Sequence, residues 1–354
     1  MRNRPTIAQV AQRASVSAST VSRVLNGGYA SPDVKARVAR VIAELGYSPS
    51  PTARNLKMGR TGILGVVAEM SQGAWFTELL SGVQEGLANR DYGVILGSVA
   101  PGGCYEPQII ERWIVERRVD GLIFARPGKR EAPLVQAALN AGLPLAYVAP
   151  EQAFVQGYSV SAHNYKAGEA AARHLGDLGH KRVGFIATHG PSLAVEARFK
   201  GFVEGLRASG LSFDSSHHFV VDAPSAEAGA LHGKHWLDLP RGSAPTGIVA
   251  ADDPIALGFM RSVLHAGLNI PDEVSIVGFE GLPEGALCWP GLTTLVQPTR
   301  EMGKDACQRV LELIDDEAPG IDGSTYGMEL VVRESTRSPH RSTQIPISAE
   351  RVAG

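Results

Sequence analysis

The residues with the most specific chemistry lie near the N-terminus, in the stretch Ser17–Arg23 (SASTVSR). Most of these side chains are hydroxyls and methyl groups, which let the backbone approach another molecule closely, and Arg23 offers paired hydrogen-bond donors. Such donors recognise a guanine edge or a phosphate group. The stretch therefore has the residue types that contact nucleic acid, although serine and threonine also serve as helix caps.

The charge of the chain is distributed unevenly. Residues 1–60 contain ten Lys and Arg and only two acidic residues, a net charge of +8, whereas the remaining residues carry −10. A basic segment joined to an acidic body indicates a polyanionic partner for that segment alone. A basic face that is only solvated, with no partner, would give the same charge. The predicted helices must therefore show whether the segment binds a polyanion.

Three helices are predicted around this stretch. Thr6, Ser17 and Ser31 are suitable N-caps for them. Gly46 ends the third helix. Two short helices joined by a tight turn, with a third behind them, form a helix-turn-helix headpiece whose second helix enters the major groove. A neutral three-helix bundle, the alternative, would not need a charge of +8. The candidate DNA contacts are Thr6, Ser17, Ala18, Ser19, Thr20, Ser22, Arg23 and Asn26.

Several blocks of this region resemble one family. VSASTVSRVLN, ELGYSP and ARNL followed by GRTG stand in the order and spacing of lactose/galactose-repressor (LacI/GalR) family regulators. The resemblance implies a DNA-binding headpiece over 1–49 and a hinge helix and linker over 50–61. In that family the leucine matching Leu56 wedges between base pairs from the minor groove. The hinge helix is so short that it is expected to fold only against its symmetry mate and DNA. The candidate hinge contacts are Ala53, Arg54 and Leu56.

Beyond Gly62 the pattern changes to apolar runs of strand length that alternate with helix-length segments, which predicts parallel sheets covered on both faces. About 280 residues exceed one such core, so two lobes are expected. Blocks such as RRVDGLIF, HLGDLGHKRVGFI and VSIVGF resemble the same family, and imply a periplasmic-binding-protein-like domain over 62–337 with ligand between its lobes. Lobe 1 would comprise about 62–161 and 292–324, lobe 2 about 162–291 and 325–337, and a disordered tail 338–354. The predicted fold class is α/β with an all-α helix-turn-helix headpiece.

The resemblance also assigns effector contacts to an aromatic pair, an arginine and two acids: Trp75, Phe76, Arg198, Asp252 and Glu280. The aromatic pair could instead belong to a core, and the arginine to a helix surface. One acid of the pair Asp252–Asp253 could be only a helix cap, since Pro254 follows. Asp252 stands where the family often has asparagine, and Glu280 where it commonly has aspartate. This makes the cleft more acidic and favours a polyhydroxyl or cationic ligand, so a sugar or sugar derivative is the predicted effector.

Other classes of protein are disfavoured by what the sequence lacks. It has no apolar run of membrane length and no secretory signal, and its three cysteines are scattered, which predicts a cytoplasmic protein. No zinc-protease, nucleophile-elbow or phosphate-loop motif occurs. His232 and His235 could share a helix face, but they lack further metal ligands nearby. We therefore expect neither a cofactor nor enzymatic activity.

Three functions remain in competition. The first is a ligand-controlled repressor that binds double-stranded DNA, at a pseudo-palindromic operator, as a homodimer. The tetramerising member of the family has a leucine-heptad tail that residues 338–354 do not resemble, so the resemblance implies a dimer rather than a tetramer. The second is an exported solute-binding protein, but a basic headpiece stands where its signal peptide should be. The third is a sugar-processing enzyme fused to a DNA-binding domain, which turnover of a candidate ligand would support. The basic headpiece favours the first.

Overall fold

The computed structural model describes eight stretches of the chain: 5–25, 27–47, 59–69, 73–98, 107–154, 156–190, 192–316 and 323–339. Four predicted DNA contacts, Asn26, Ala53, Arg54 and Leu56, lie outside the described residues, as do residues 340–354 of the predicted tail. The chain divides into two compact units, Met1–Gly62 and Ile63–Gly354.

The first unit contains three helices: α1 (Ile7–Arg13), α2 (Ala18–Leu25) and α3 (Pro32–Leu45). One apolar side of each helix faces a small shared core, in which Val10, Val21, Val38 and Val41 are buried. The valines of α3 lie three residues apart, the spacing that places side chains on one face of a helix.

Local capping sets the ends of these helices. The hydroxyl of Thr6 accepts a hydrogen bond from the Gln9 backbone N–H (3.3 Å), and Gln9 Oε1 accepts one from the Thr6 N–H (2.8 Å). This reciprocal capping box satisfies two donors that the first turn of α1 would otherwise leave free. At the other end of the headpiece, Gly46 takes a left-handed conformation (φ 60°) that ends α3.

The second unit is built on two six-stranded sheets. The first sheet consists of β1 (Ile63–Ala68), β2 (Gly93–Ser98), β3 (Gly121–Ala125), β4 (Leu145–Val148), β5 (Tyr158–Ala162) and β11 (Ser324–Tyr326), in the order β11-β5-β4-β3-β1-β2. The second consists of β6 (Val183–Thr188), β7 (His218–Val221), β8 (Gly247–Ala250), β9 (Ser275–Glu280), β10 (Thr293–Val296) and β12 (Glu329–Val331), in the order β12-β10-β9-β8-β6-β7. The strands pair in parallel, except that β12 is antiparallel to β10. The predicted parallel sheets are therefore confirmed.

Helices pack on these sheets in two sets. The first sheet carries α4 (Gly73–Gly86), α5 (Pro107–Val115), α6 (Ala132–Asn140) and α12 (Thr299–Ile314). The second carries α7 (Asn164–Asp177), α8 (Leu193–Ala208), α9 (Ala226–Asp238) and α10 (Asp253–His265), with the short α11 (Pro283–Leu287) after β9. Each sheet has apolar clusters on both faces, the arrangement that parallel sheets require. No described helix is both long and apolar enough to cross a membrane.

Close contact between α7 and α8 depends on glycine. A Cβ atom placed on Gly168 would lie 1.9 Å from the Arg198 carbonyl oxygen, and one on Gly201 would lie 1.8 Å from that of Tyr165. The two glycines therefore let the helix backbones touch. This approach sets the position of α8, and with it the position of Arg198.

The chain crosses between the two lobes three times: between β5 and α7, between β10 and α12, and between β11 and β12. We predicted the second crossing near residue 291, with 292–324 in lobe 1. The structure instead keeps β10 in lobe 2, because Thr293–Val296 pairs with β9 on one side and β12 on the other. The carboxyl ends of the central strands of both sheets face the cleft between the lobes.

Candidate functional site

The candidate nucleic-acid interface is the outer side of α2. Ser17, Ala18, Ser19 and Arg23 are exposed there, whereas Val21 on the opposite side is buried in the headpiece core. Thr20 and Ser22 are half-buried between these two sides. The structure thus brings the predicted contacts of this helix together on one accessible surface.

The hydroxyls at the start of α2 form a hydrogen-bonded cluster. Ser17 Oγ accepts a hydrogen bond from the Thr20 N–H (3.1 Å) and lies 2.7 Å from Ser19 Oγ and 2.8 Å from Thr20 Oγ1. The cluster stands at the positive end of the helix dipole, where phosphate groups bind readily. Thr6 is exposed as well, although its side chain already caps α1. Sequence reasoning missed Tyr29, an aromatic residue that is 89% exposed shortly after α2, because no periodic pattern marks it.

The second candidate site is the interlobe cleft, a cavity of about 380 Å³ whose walls come from both lobes. Lobe 1 contributes Arg126, Lys129 and Glu151, which follow the ends of β3 and β4. Lobe 2 contributes Arg198, Asp252 and Glu280. The backbone carbonyl of Glu151 also accepts a hydrogen bond from the Leu193 N–H (3.2 Å), so the lobes touch beside the cleft. Both its size and its position are typical of a small-molecule site.

Arg198 is held rigidly inside this cleft. It is 3% exposed; its Nε donates to Asn164 Oδ1 (2.8 Å) and its Nη1 donates to the Ala251 carbonyl oxygen (2.5 Å). Its guanidinium carbon lies 4.7 Å from the centre of the Phe279 ring. Burial lowers the pKa of Arg198 to about 10, against the opposing effect of nearby carboxylates, so the group stays cationic at neutral pH. It is a fixed donor rather than the surface arginine of the alternative interpretation.

A second guanidinium spans the cleft. Arg126 of lobe 1 forms an ion pair with Glu280 of lobe 2, and its guanidinium carbon lies 4.5 Å from the centre of the Trp75 ring. The side chains are 19% and 5% exposed respectively. Burial alone would lower the pKa of Arg126, but the charges of Glu280, Asp252 and Glu151 raise it instead. The prediction of a more acidic cleft was therefore wrong, because Arg126 neutralises the charge of Glu280.

Asp252 combines both roles that the sequence analysis kept apart. Its Oδ1 accepts a hydrogen bond from the Ile255 N–H (3.0 Å), which makes it the N-cap of α10, and it also lines the cleft. Burial and the negative charge of Glu280 raise the pKa of Asp252 to about 7. The group therefore titrates near neutral pH, and its protonated form can donate a hydrogen bond to a ligand.

The neighbouring acid positions the turn that carries Glu280. Asp253 is fully buried; its Oδ1 accepts a hydrogen bond from Thr294 Oγ1 (2.7 Å), and its Oδ2 accepts from the N–H groups of Gly281 (2.9 Å) and Leu282 (2.7 Å). It thereby ties α10 to the ends of β9 and β10. No sequence pattern distinguished this structural acid from its neighbour.

The remaining predicted residues are placed differently. Trp75 does not line the cavity, but its ring packs against the guanidinium of Arg126. Phe76 belongs to the lobe 1 core and is 7% exposed. His232 packs its ring against Phe219, and burial lowers its pKa to about 4, as expected of a core histidine. Within the described ranges, no group of three His, Cys, Asp or Glu side chains could hold a metal ion.

Sequence reasoning also missed Arg126, Glu151 and Gln297, all of which line the cleft. Arg126 and Gln297 each follow directly after a strand, at β3 and β10, and Glu151 follows shortly after β4. Position after a parallel strand was the available signal, since the carboxyl ends of such strands converge on a ligand site. Predicting the Arg126–Glu280 contact, however, required the arrangement of both lobes.

Together, the exposed basic helix-turn-helix and the two-lobed body with a polar cleft define a class of protein: a DNA-binding regulator with a ligand-binding domain. Comparison with known proteins gives the same result. Residues 6–50 match the model of bacterial regulatory proteins of the lacI family, and residues 172–336 match a periplasmic binding protein-like domain.

Individual relatives extend this match over nearly the whole chain. The HTH-type transcriptional repressor CytR of Escherichia coli (strain K12) is 31% identical over 335 residues, which is 94% of this chain and 96% of CytR. The Lac repressor dimer bound to operator and the anti-inducer ONPF has a TM-score of 0.80 at 25% identity, covering 95% of this chain and all of that one. A complex of the transcriptional regulator CelR with cellobiose has a TM-score of 0.71 at 28% identity, covering 94% and 100%.

The chain therefore belongs to the lacI family of bacterial regulatory proteins. It is a DNA-binding transcriptional repressor with a small-molecule-binding domain, and the predicted family and fold class are confirmed. The expectation that it is not an enzyme agrees with these relatives, which are repressors.

Proposed function

We propose that this repressor binds a pseudo-palindromic operator as a homodimer, and that an uncharged polyhydroxyl ligand, a sugar or sugar derivative, controls this binding from the interlobe cleft. One observation carries the choice of ligand: the cleft has three basic and three acidic side chains, Arg126, Lys129, Arg198, Glu151, Asp252 and Glu280. While Asp252 is ionised these charges balance one another, so the cleft attracts neither cations nor anions strongly. They do supply many donors and acceptors, which suits hydroxyl groups because each hydroxyl both donates and accepts.

The DNA-binding half of the proposal rests on α2 and on the hinge. The α2 helices of two headpieces would read two half-sites through the exposed side that carries Ser19 and Arg23. Paired Leu56 side chains would enter the minor groove between them and bend the duplex, as the family resemblance implies. The relative described above as the Lac repressor dimer bound to operator supports this assembly.

The surface of lobe 2 supports a homodimer as well. Leu287 and Trp289, close together after β9, are 85% and 81% exposed. Two adjacent large apolar side chains on a surface are a common feature of protein interfaces. A second copy of the chain is the partner that would cover them in the proposed dimer.

Ligand control follows from the two-lobed construction. A ligand that contacts both lobes binds one interlobe arrangement more tightly than the other, and shifts their equilibrium by that difference in affinity. If the two arrangements hold the hinge helices differently, operator affinity changes by the same factor. The fixed position of Arg198 in lobe 2 and the position of Glu151 in lobe 1 give such a ligand a contact on each side.

The proposal is tested in two steps. First, the full-length protein selects sites from a random pool of double-stranded DNA, and fluorescence anisotropy measures affinity for the selected site against random DNA. Second, a thermal-shift screen of neutral sugars, amino sugars, sugar acids and sugar phosphates identifies ligands, and those that bind are added to the anisotropy assay. We expect a selected palindromic site and a neutral sugar that changes its affinity. Absence of any preferred site would contradict the operator proposal, and binding of charged sugars alone would contradict the ligand class.

A further inference from the structure

Glu280 and Trp75 together form a cation-binding site, and the guanidinium of Arg126 is the cation that occupies it. Glu280 supplies a buried carboxylate, and Trp75 supplies an aromatic face 4.5 Å from the guanidinium carbon. An acid beside an aromatic ring is the combination that binds organic cations. Arg126 belongs to lobe 1 and Glu280 to lobe 2, so their ion pair also joins the lobes.

The backbone at both residues shows how strongly this arrangement is imposed. Arg126 has φ 49° and Glu280 has φ 109°, both in the region that residues other than glycine seldom adopt. Such conformations persist where the surrounding structure enforces them, and they concentrate at functional sites. Here each of them directs a strand-end residue into the cleft.

Removal of the Arg126 guanidinium would make the net charge of the cleft more negative. The Glu280 side chain is 5% exposed, so its carboxylate would lose its ion-pair partner while most of its surface stays buried. Asp252 and Glu151 also act on Arg126 electrostatically, so without Arg126 the cleft would hold three acidic side chains against two basic ones, Lys129 and Arg198. The cleft would then select a cation, whereas the native cleft does not need one.

We propose that Arg126 is a specificity-determining residue of the effector site, a tethered cation that fills the site made by Glu280 and Trp75 and so restricts the cleft to uncharged ligands. This inference rests on the proposed function for the nature of the site. It adds a cation-binding site that appears only when Arg126 is shortened. The same tether holds the lobes together before any effector has bound.

The test is chemical rescue of full-length Arg126→Ala with ethylguanidinium as the probe. We expect Arg126→Ala to lower the Tm by about 5 °C or more, because one partner of a buried ion pair is left alone. Ethylguanidinium at about tenfold over its Kd should raise the Tm of this variant by about 3 °C or more. The Tm of the wild-type protein should not rise, because its own guanidinium occupies the site.

Four further variants make the test decisive. Glu280→Gln combined with Arg126→Ala should lose the rescue, since the acid is gone, and Arg126→Lys should show none, since its own cation remains. Arg118→Ala is the matched control: Arg118 pairs with Glu116 on the exposed surface of one lobe, so no rescue is expected. Arg126→Gln repeats the measurement if the alanine variant does not fold.

An equal effect of ethylguanidinium on Arg126→Ala and on the double variant would overturn the proposal, as would no rise in Tm for either Arg126→Ala or Arg126→Gln. These outcomes are independent of the operator and sugar measurements. The tethered cation and the proposed function can therefore fail separately.

Discussion

The contact between α7 and α8 leads to a prediction for Gly168. A methyl group there would lie 1.9 Å from the Arg198 carbonyl oxygen, whereas ordinary contact begins near 3.4 Å, so α8 would have to retreat by roughly 1.5 Å. The obstructing atom belongs to the backbone and cannot rotate away. Gly168→Ala should therefore cost about 3 kcal/mol, the upper part of the range for overpacked cores, and lower the Tm by roughly 6–12 °C.

The same displacement should reach the effector site. Arg198 moves with α8, and its hydrogen bonds to Asn164 (2.8 Å) and to the Ala251 carbonyl (2.5 Å) leave no room for a shift of that size. Ligand affinity should fall, whereas the headpiece, a separate compact unit, should keep its own fold. Urea denaturation followed by fluorescence measures the first effect, and calorimetric titration with a ligand from the screen measures the second.

Gly242→Ala is the control for this experiment. A Cβ on Gly242, in the same lobe, would meet nothing within 4 Å, and its backbone is not left-handed. This substitution should change stability by less than about 1 kcal/mol, since it mainly restricts the unfolded chain. If Gly168→Ala were as stable as Gly242→Ala, the argument that backbone contact positions Arg198 would be refuted.

Three other predictions concern the hinge and two buried titratable groups. Leu56→Ala should weaken binding to the selected operator at least tenfold in anisotropy while calorimetry shows ligand affinity unchanged; equal loss of both would contradict the proposed division of labour. Burial and Glu280 raise the pKa of Asp252 to about 7, above its unfolded value near 4, so its contribution to the free energy of unfolding should fall by about 2 to 4 kcal/mol as pH rises through this window; Asp253, whose pKa burial also raises to about 7, adds a decrease of its own. Asp252→Asn should make the free energy of unfolding, measured in urea titrations at several pH values, depend less on pH. An unchanged pH dependence would contradict the raised pKa of Asp252. Burial lowers the pKa of His180 to about 4, while its ring nitrogens bond Thr246 Oγ1 (2.9 Å) and the Arg337 carbonyl (3.0 Å). The His180 contribution to stability should thus fall by about 3 kcal/mol as pH drops from about 6.5 towards 4. His180→Gln should lose this contribution, whereas His232, whose pKa is also lowered to about 4, should keep its own, and the decrease in stability assigned to Asp252 at higher pH should remain.

Elements with strong local signals were predictable from the sequence. The second helix was expected to follow the N-cap Ser17 and the third to end at Gly46, and the structure has α2 beginning at Ala18 and Gly46 as the C-cap of α3. Caps, glycine stops and unbroken apolar runs act over a few residues, so a single sequence contains them completely. Strands such as β7 and β10 could not be predicted locally, because each begins with polar residues rather than forming an unbroken apolar run, and their partners are distant in sequence.

For the cleft, the sequence was sufficient to predict that Arg198, Asp252 and Glu280 approach one another, since family blocks and strand ends mark their positions. The electrostatic environment of these residues, by contrast, depends on how the two lobes fold together. Arg126 and Glu280 are 154 residues apart and lie in different lobes, so no local pattern predicts that one neutralises the other. The charge of a buried group depends on what surrounds it in space, and that is settled when the two sheets are brought together.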